Sequence, residues 1–367
     1  MARPGSPLPD GGDPAPPPHH SAHSRLRAEP AVVVGVATPT TTAEDPAVPR
    51  TSSTTPAPLI ATAVPSTTAT GAGAGEPVDL HRTVLDWYAA HARDLPWRHE
   101  DCSPWGVLVS EVMLQQTPVA RVLPRWREWL DRWPTPAALA AEAPGEAVRA
   151  WDRLGYPRRA LRLHAAAVAI TAEHGGRVPD DHAALLALPG IGAYTAAAVA
   201  AFAFRRRHAV VDTNVRRVHA RAVSGAAEPA PALTAAETRL AAQLLPEDPE
   251  TAARWSVGVM ELGALVCTAR APRCPACPLL DRCAWVVAGR PEHTGPVRRV
   301  QRWAGTDRQV RGRLLAVLRE AESPVTTAEL AAAWTTDPVQ RERCLDGLVA
   351  DGLVEPLPDG RFGLPRS

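Results

Sequence analysis

The chain has 367 residues, enough for two or three domains, and its 45% hydrophobic content is sufficient to form a core. It shows neither an apolar run of membrane-spanning length nor a secretory signal, so we expect a soluble cytoplasmic protein without a membrane partner. The net charge of +1 excludes a uniformly basic surface, although residues 267–313 carry +7 and the remainder −6. All forty basic residues are arginine, so the chain contains no lysine.

Residues 1–76 differ in composition from the rest of the chain. They are rich in Pro, Ala and Thr and include no aromatic residue. Such a segment buries too little apolar surface to offset its loss of conformational entropy on ordering. We therefore predict a disordered tail.

From residue 79 to about residue 265 the apolar spacing predicts helices and no strand. Asp79 is the expected N-cap of the first helix. The connections are short and contain Pro or Gly, which favours one compact all-α domain. Helices are predicted at 80–93, 104–116, 121–133, 136–143, 145–153, 158–174, 181–186, 193–204, 232–245 and 249–265, and from Asn214 onward.

One acidic residue interrupts the apolar face of the helix predicted at 104–116. Glu111 follows Val107 by four residues and Leu108 by three, so the three side chains share one face. A carboxylate there needs a partner, and desolvation raises its pKa. Glu111 is therefore either a structural residue paired with an arginine or a general acid that works near neutral pH.

The motif WDRLGYPRR at 151–159 places an aromatic residue beside a glycine and among three arginines. Tyr156 in this setting suits a wedge that enters between bases while arginines hold phosphates. A tyrosine packed at a turn between helices would give the same pattern, so both interpretations stay open.

The stretch 188–218 contains a PGIG turn, an alanine-rich helix and then an aspartate at the start of a further helix. Gly190 and Gly192 could expose backbone N–H groups to a phosphate at the helix N-terminus. An ordinary corner between two helices, with Asp212 as an N-cap, also fits the pattern.

Four of the six cysteines lie within seventeen residues, in the spacing C-x6-C-x2-C-x5-C. The absence of a secretory signal disfavours disulfides, and zinc sites generally use two CxxC or CxxH pairs where this segment has one. The spacing favours one [4Fe–4S] cluster of structural role. Its expected ligands are Cys267, Cys274, Cys277 and Cys283.

Residues 286–305 are a basic linker in this interpretation, and a small domain follows at 306–367. Helices are predicted at 307–322, after Thr326 or Thr327, and at 337–351. Asp359-Gly360 is a hairpin signal within 354–364. Three helices and a hairpin predict a winged-helix-like domain, a module that binds DNA or protein.

The motifs SEVMLQQT around Glu111, LGY, LPGIGAYTA, VDTNVRRV and MELGALVC, together with the cysteine spacing, resemble one family. This family is the adenine-specific mismatch DNA glycosylases (MutY type) of the helix–hairpin–helix superfamily, which also includes endonuclease III. The resemblance covers residues 77–285. It implies an all-α helix–hairpin–helix glycosylase fold with a [4Fe–4S] subdomain at 266–284 and double-stranded DNA crossing the cleft.

The resemblance also implies roles for individual residues. Glu111 corresponds to the acid that protonates adenine, and Asp212 to the carboxylate that stabilises the cationic sugar. The other matched positions are Trp97, Arg98 and Glu261 in the adenine pocket, Gln116 and Tyr156 in a wedge against the opposite strand, and Thr117 and Leu154 as contacts to the opposing damaged guanine.

The resemblance also limits the expected activity. Tyr194 stands where bifunctional relatives place a Schiff-base lysine, and the chain has no lysine to replace it. We therefore expect a monomeric, nucleoid-associated enzyme that removes adenine opposite 8-oxoguanine or guanine and leaves the abasic strand intact. The segment after residue 305 is too short and too helical for the Nudix-like domain that many relatives use to sense 8-oxoguanine.

Two alternatives remain at this point. A thymine- or uracil-mismatch glycosylase of the same superfamily can also carry Tyr and Asp at the hairpin positions, although SEVMLQQT favours adenine. A non-catalytic iron–sulfur regulator that binds DNA is suggested by the winged-helix-like domain.

Overall fold

The computed structural model describes residues 77–293, residue 295 and residues 303–366. The predicted disordered tail at 1–76 lies outside these residues, as do residues 294 and 296–302 of the predicted linker. Among the helices that are described, none is long and apolar enough to cross a membrane.

The larger domain is helical, as the sequence predicts, which confirms the all-α class. Short 3-10 turns occur at Pro96–Arg98, Cys274–Ala276 and Leu280–Arg282. The α-helices of this domain are α1 (Pro77–His91), α2 (Pro104–Leu114), α3 (Val119–Arg132), α4 (Pro136–Ala140), α5 (Pro144–Trp151), α6 (Arg158–Glu173), α7 (His182–Ala187), α8 (Ala193–Phe204), α9 (Thr213–Ala222), α10 (Ala235–Gln243), α11 (Pro249–Leu265) and α12 (Ala284–Val287).

The predicted start of the first helix is wrong. α1 begins at Pro77, so Asp79 lies inside its first turn and is not its N-cap. Proline suits the first helical position because its missing N–H would have no helical partner there. The start of α10 also differs from the predicted residue 232, since Thr234 caps the helix in a reciprocal capping box with Glu237.

The predicted end of the second helix is also wrong. α2 ends at Leu114, and Gln116 has φ of +56°, in the left-handed region. The carbonyl oxygens of Val112, Met113 and Gln115 accept hydrogen bonds from the Arg159 guanidinium at 2.9, 3.2 and 2.5 Å. A side chain from α6 therefore satisfies the carbonyls at the end of α2, and continuation of the helix is not needed.

Two apolar clusters hold the larger domain together. One lies among α2, α3, α5, α6 and α8 and is rich in tryptophan. The other lies among α1, α9 and α11. α8 packs on α2 and also on α11, so the two clusters adjoin. This arrangement brings α2, α8 and the start of α9 together.

The small domain contains α13 (Asp307–Glu320), α14 (Thr327–Ala333), α15 (Pro338–Ala350) and the strands β1 (Glu355–Pro356) and β2 (Phe362–Gly363). The strands pair antiparallel, and Val325 forms a further antiparallel bridge with Phe362. Three helices and a terminal hairpin are the elements that the sequence predicts here.

The small domain packs on α5 of the larger one. Apolar side chains of α13, including Val310 and Leu314, belong to the same cluster as Val148 and Trp151. Arg149 Nη1 donates to the carbonyl of Ala321 at 3.0 Å. α13 is therefore fixed against the larger domain by apolar contact and by hydrogen bonds to backbone.

Candidate active site

Glu111 lies inside the protein and is 5% exposed. Its Oε2 accepts a hydrogen bond of 3.0 Å from the hydroxyl of Tyr194 on α8. Burial raises the pKa of the Glu111 carboxyl to about 7, although the hydrogen bond from Tyr194 opposes the shift, and the charge of Asp212 raises it further. Glu111 can thus hold or release a proton near neutral pH, as a general acid requires.

Asp212 is the N-cap of α9, as the sequence allowed. Its Oδ1 accepts a hydrogen bond of 2.7 Å from the backbone N–H of Val215, and its Oδ2 accepts one of 2.7 Å from the Asn214 side chain. Burial raises the pKa of Asp212, and these hydrogen bonds oppose the shift. The two carboxyls therefore sit in different surroundings, one bonded to a phenol and the other to an amide and a helix N-terminus.

Glu261 on α11 is fully buried and is held by two arginines. Arg93 donates to it from its backbone N–H at 3.0 Å, from Nε at 2.7 Å and from Nη2 at 2.6 Å. Arg98 Nη2 donates at 2.8 Å. Burial opposes ionisation, but these guanidinium groups lower the pKa of Glu261 to about 2. Its oxygens are therefore occupied, and its direct effect is to orient Arg93 and Arg98.

The other predicted pocket residues adjoin this ion-paired group. Trp97 is buried at 7% exposure and packs edge-on against Trp126, with 5.7 Å between ring centroids. The Arg98 guanidinium lies 5.9 Å from the ring centroid of Tyr88. The Arg98 charge also lowers the pKa of Glu111, against the larger effect of burial.

The predicted contacts to the opposite strand form a second group, around Arg159. The Thr117 hydroxyl accepts a hydrogen bond of 3.0 Å from Arg159 Nη2 and lies 3.3 Å from the carbonyl of Leu154. Both Thr117 and Leu154 are buried, and the Leu154 side chain belongs to the apolar core. The exposed members of this group are Gln116 and Tyr156.

Gln116 and Tyr156 share an uncommon backbone conformation. Their φ angles are +56° and +48°, a region that non-glycine residues rarely occupy. Tyr156 is 39% exposed. The Arg159 guanidinium carbon lies 5.4 Å from its ring centroid. Both residues belong to the wedge that the family resemblance implies, and Asp152, Arg205 and Arg290 also have positive φ angles.

The PGIG turn leads directly into α8. Gly190 has φ of +74°, and a Cβ at this position would lie 2.5 Å from the Cβ of Arg162, so only glycine fits. A Cβ on Gly192 would have no atom within 4 Å. Gly192 is the N-cap of α8, and no side chain caps the helix. The N-terminus of α8 therefore presents backbone N–H groups that an anion could bind.

The four predicted cluster ligands, Cys267, Cys274, Cys277 and Cys283, line one small cavity. Within the described ranges no three Cys, His, Asp or Glu side chains converge as they would around one metal ion. A cubane cluster differs from a single ion because each thiolate binds a different iron atom. The donor set, four sulfurs around one cavity with no carboxylate or imidazole, suits an iron–sulfur cluster.

α9 connects this cavity to Asp212. At its C-terminal end Arg221 Nη1 lies 3.6 Å from the Cys267 sulfur. One turn earlier, Arg217 donates to the Cys267 carbonyl at 2.6 Å and to the Asn214 side-chain oxygen at 2.8 Å. Since Asn214 also bonds Asp212, a continuous chain of hydrogen bonds runs from the cysteine loop to the candidate catalytic carboxylate.

Three arginines that shape the site, Arg93, Arg159 and Arg217, were given no individual role on the basis of the sequence. Arg159 could have been found, because it precedes the buried Leu163 by four residues on α6 and so shares its apolar face, as Glu111 does on α2. Nothing comparable marks Arg93, which follows the end of α1 in a loop.

The chain resembles known proteins in sequence and in fold. The profile of the HhH-GPD superfamily base excision DNA repair proteins matches residues 109–243. An adenine DNA glycosylase of Mycobacterium tuberculosis (strain CDC 1551 / Oshkosh) is 58% identical over 283 residues, 77% of this chain and 92% of that protein. A thymine-DNA glycosylase of Aeropyrum pernix is 34% identical over 209 residues, 56% of this chain and 93% of that protein.

Two solved structures share the fold. A thermostable thymine-DNA glycosylase has a TM-score of 0.52 and 28% identity, and the match covers 58% of this chain and 97% of that one. A trapped endonuclease III–DNA covalent intermediate has a TM-score of 0.50 and 22% identity, and the match covers 58% of this chain and 98% of that one.

Proposed function

This chain belongs to the adenine DNA glycosylases of the HhH-GPD superfamily of base excision DNA repair proteins, and on that premise we propose that it removes adenine from mismatches in double-stranded DNA. The observation that carries the proposal is the buried Glu111. Its carboxyl accepts a hydrogen bond from Tyr194 and has a pKa raised to about 7, so it keeps its proton up to neutral pH. Protonation of the ring makes a purine a much better leaving group, and this residue can supply the proton.

The reaction uses both carboxyls. After adenine leaves the base stack, Glu111 donates its proton to ring nitrogen N7, the bond between N9 and C1′ breaks, and its electron pair goes to the base. The sugar becomes an oxocarbenium-like cation, which the Asp212 carboxylate stabilises. Water then adds to C1′ and its proton returns to Glu111. Trp97 and Arg98, with Glu261 behind them, bound the adenine pocket in this proposal.

The enzyme stops at base removal. Strand cleavage by bifunctional relatives requires a lysine that forms a Schiff base, and this chain has Tyr194 at that position and no lysine elsewhere. It acts as a monomer at the nucleoid, where its substrate is.

The proposed mismatches are adenine opposite 8-oxoguanine or guanine. The strained, exposed Gln116 and Tyr156 support insertion into the opposite strand, with Thr117 and Leu154 behind them near the opposing base. The uncapped N-terminus of α8 at Gly190 and Gly192 supports a phosphate anchor on the strand that carries adenine.

A [4Fe–4S] cluster bound by Cys267, Cys274, Cys277 and Cys283 completes the proposal. When bound, such a cluster fixes the fold of its loop, and Arg270 and Arg273 on that loop can then contact DNA. The support is that all four cysteines line one cavity, whose other lining residues include no carboxylate or imidazole.

The test is a single-turnover assay of the full-length protein on A:8-oxoguanine, A:G and T:G duplexes. We expect adenine release from the first two, and product strands that break only after treatment with alkali. Faster release of thymine from T:G would replace this proposal with thymine excision, the activity named for the A. pernix relative. Strand breaks without alkali would refute the monofunctional mechanism.

A further inference from the structure

α13 of the small domain reaches the proposed wedge. Arg308 Nη2 donates a hydrogen bond of 3.1 Å to the hydroxyl of Tyr156. The Arg308 guanidinium carbon also lies 5.5 Å from the ring centroid of Tyr156. Tyr156 therefore contacts two guanidinium groups, Arg159 from the larger domain and Arg308 from the small one.

The charge of Arg308 is not compensated locally. Two neighbouring arginines, Arg311 and Arg158, both pair with Asp351. The distance from Arg158 Nη1 to Asp351 Oδ1 is 3.1 Å. Arg343 pairs with Asp307 at 2.8 Å. Among the residues that the structure describes, no carboxylate lies within ion-pairing distance of Arg308, which is exposed. An exposed cation without a carboxylate is available for a phosphate.

The rest of the small domain is poorly suited to DNA. Residues 303–366 contain eight arginines and ten carboxylates, a net charge of −2. The exposed residues of α15, which a winged-helix protein would use for recognition, include Glu342 and Asp346. The segment after the hairpin is held by the larger domain, because the carbonyl of Pro365 accepts a hydrogen bond of 2.7 Å from the backbone N–H of Gly145.

Arg308 is held in place before DNA arrives. Arg319, on the same helix, donates from Nε to the carbonyl of Val148 at 3.0 Å. Leu314 and Leu315 on α13 are buried in the cluster shared with the larger domain. A guanidinium on a fixed helix loses less freedom on binding than one on a mobile tail, so the contact is preorganised.

We infer that Arg308 is a DNA contact through which the small domain takes part in mismatch recognition. When Tyr156 enters the base stack, Arg308 binds a phosphate of the strand opposite adenine, beside the step that Tyr156 opens. The ligand is a phosphodiester, and the Tyr156 hydroxyl orients the guanidinium towards it. This inference rests on the proposed function, which assigns Tyr156 to the wedge.

The first test measures duplex binding by fluorescence anisotropy in the Glu111→Gln background, so that the A:G duplex stays intact. We expect Arg308→Ala to raise Kd about five- to tenfold at 0.1 M salt and to reduce the slope of log K against log salt by about one. Arg308→Lys should restore part of the affinity. Arg313→Ala is the matched control, since Arg313 lies on the same helix over Trp334 and away from Tyr156.

The second test locates the phosphate. Single phosphates of the strand opposite adenine are replaced one at a time by uncharged methylphosphonates. We expect one position beside the mismatch at which the replacement weakens binding of the Arg308 protein and has no effect on the Arg308→Ala variant. Tyr156→Phe keeps the ring and removes the hydroxyl. In the double variant with Arg308→Ala, the loss of binding free energy should be smaller than the sum of the losses in the two single variants.

The results of these tests distinguish a failure of this inference from a failure of the proposed function. If Arg308→Ala binds within twofold of its parent with the same salt slope, or if every methylphosphonate affects both proteins equally, the inference is wrong while adenine excision stands. If the duplexes are bound with the expected phosphate dependence but adenine is never released, the proposed function is wrong and the contact stands.

Discussion

Glu111 and Asp212 are two carboxyls of one site that lie in different surroundings. Glu111 faces a phenol in a dry environment, and burial raises its pKa to about 7. Asp212 has the N-terminus of α9 and the Asn214 amide as donors, which favour its ionised form. Burial also raises the pKa of Asp212, but these donors oppose that shift. Glycosidic cleavage needs a proton donor and a carboxylate together, the roles proposed for these two groups.

The pH dependence of adenine release follows from these two groups. The protonated fraction of Glu111 falls above its pKa of about 7, so the single-turnover rate should drop about tenfold for each pH unit beyond it. Protonation of Asp212 should lower the rate on the acid side. A series of rates from about pH 5 to pH 9 on an A:G duplex checks this, and a flat alkaline side would contradict the role of Glu111.

Glu111→Gln provides the matching control. The amide keeps the shape of the side chain but has no acidic proton, so duplex binding should persist while adenine release falls by about two orders of magnitude or more. Unchanged excision in this variant would remove Glu111 from the mechanism.

Tyr194→Phe tests the hydrogen bond to Glu111. The Tyr194 hydroxyl lowers the pKa of Glu111 against the larger effect of burial, so its removal should raise that pKa further. The alkaline midpoint of the pH–rate profile should therefore move to higher pH. Strand cleavage should stay absent, as in the parent. A midpoint that moves to lower pH would mean that the phenol acts on the acid in another way.

At the scale of single elements, α9 joins two functions. Its first turn holds Asp212, and its last turn holds the cysteine loop through Arg221. α9 packs against α11, and the two approach closely because Gly263 has no side chain. A Cβ at Gly263 would lie 2.7 Å from the Cβ of Asn214, the residue that bonds Asp212.

Gly263→Ala should therefore displace α9 as well as strain the core. We expect a loss of about 1–3 kcal/mol in the free energy of unfolding, as for other overpacked sites, and slower adenine release. Gly312→Ala is the matched control, because a Cβ at Gly312 in α13 would have no atom within 4 Å and alanine favours a helix. Thermal unfolding and single-turnover rates measure both effects. A neutral Gly263→Ala variant would show that the helices can separate without cost.

The elements also show what the sequence could predict. The helices, the two carboxyls and the cysteine loop follow from apolar spacing and short motifs, which are local. The end of α2 does not, because it depends on Arg159, more than forty residues away. The ion pairs that hold Glu261 and the contact between Arg308 and Tyr156 likewise depend on which arginine reaches which neighbour. With forty arginines and no lysine, the sequence offers no means of choosing among them.

At the scale of the whole molecule, a chain of near-zero net charge must bind a polyanion through local charge. The excess of +7 in residues 267–313 begins in the cysteine loop and ends in α13, so it spans the proposed cluster and the start of the small domain. We therefore expect the proposed cluster to affect DNA binding through the fold of this segment.

Cys274→Ser tests that relation. Loss of one ligand should abolish the visible absorbance near ~400 nm and the bound iron and sulfide that a [4Fe–4S] protein carries, and it should weaken duplex binding. Cys102 does not line the cavity, so Cys102→Ser should leave the iron content and the affinity for duplex DNA unchanged. Bound zinc in a colourless parent protein would show that the cysteines hold another metal.

The packing of α13 on α5 affects how the protein is made. Val310 and Leu314 belong to an apolar cluster whose first member in the chain is Leu95, so this cluster is incomplete until α13 has been synthesised. A ribosome delivers the chain from its N-terminus, so α5 lacks its contacts with α13 until that helix has been synthesised. A chain truncated before residue 310 would keep every proposed catalytic residue but lose this part of the core, so we expect it to unfold at a lower temperature than the full chain.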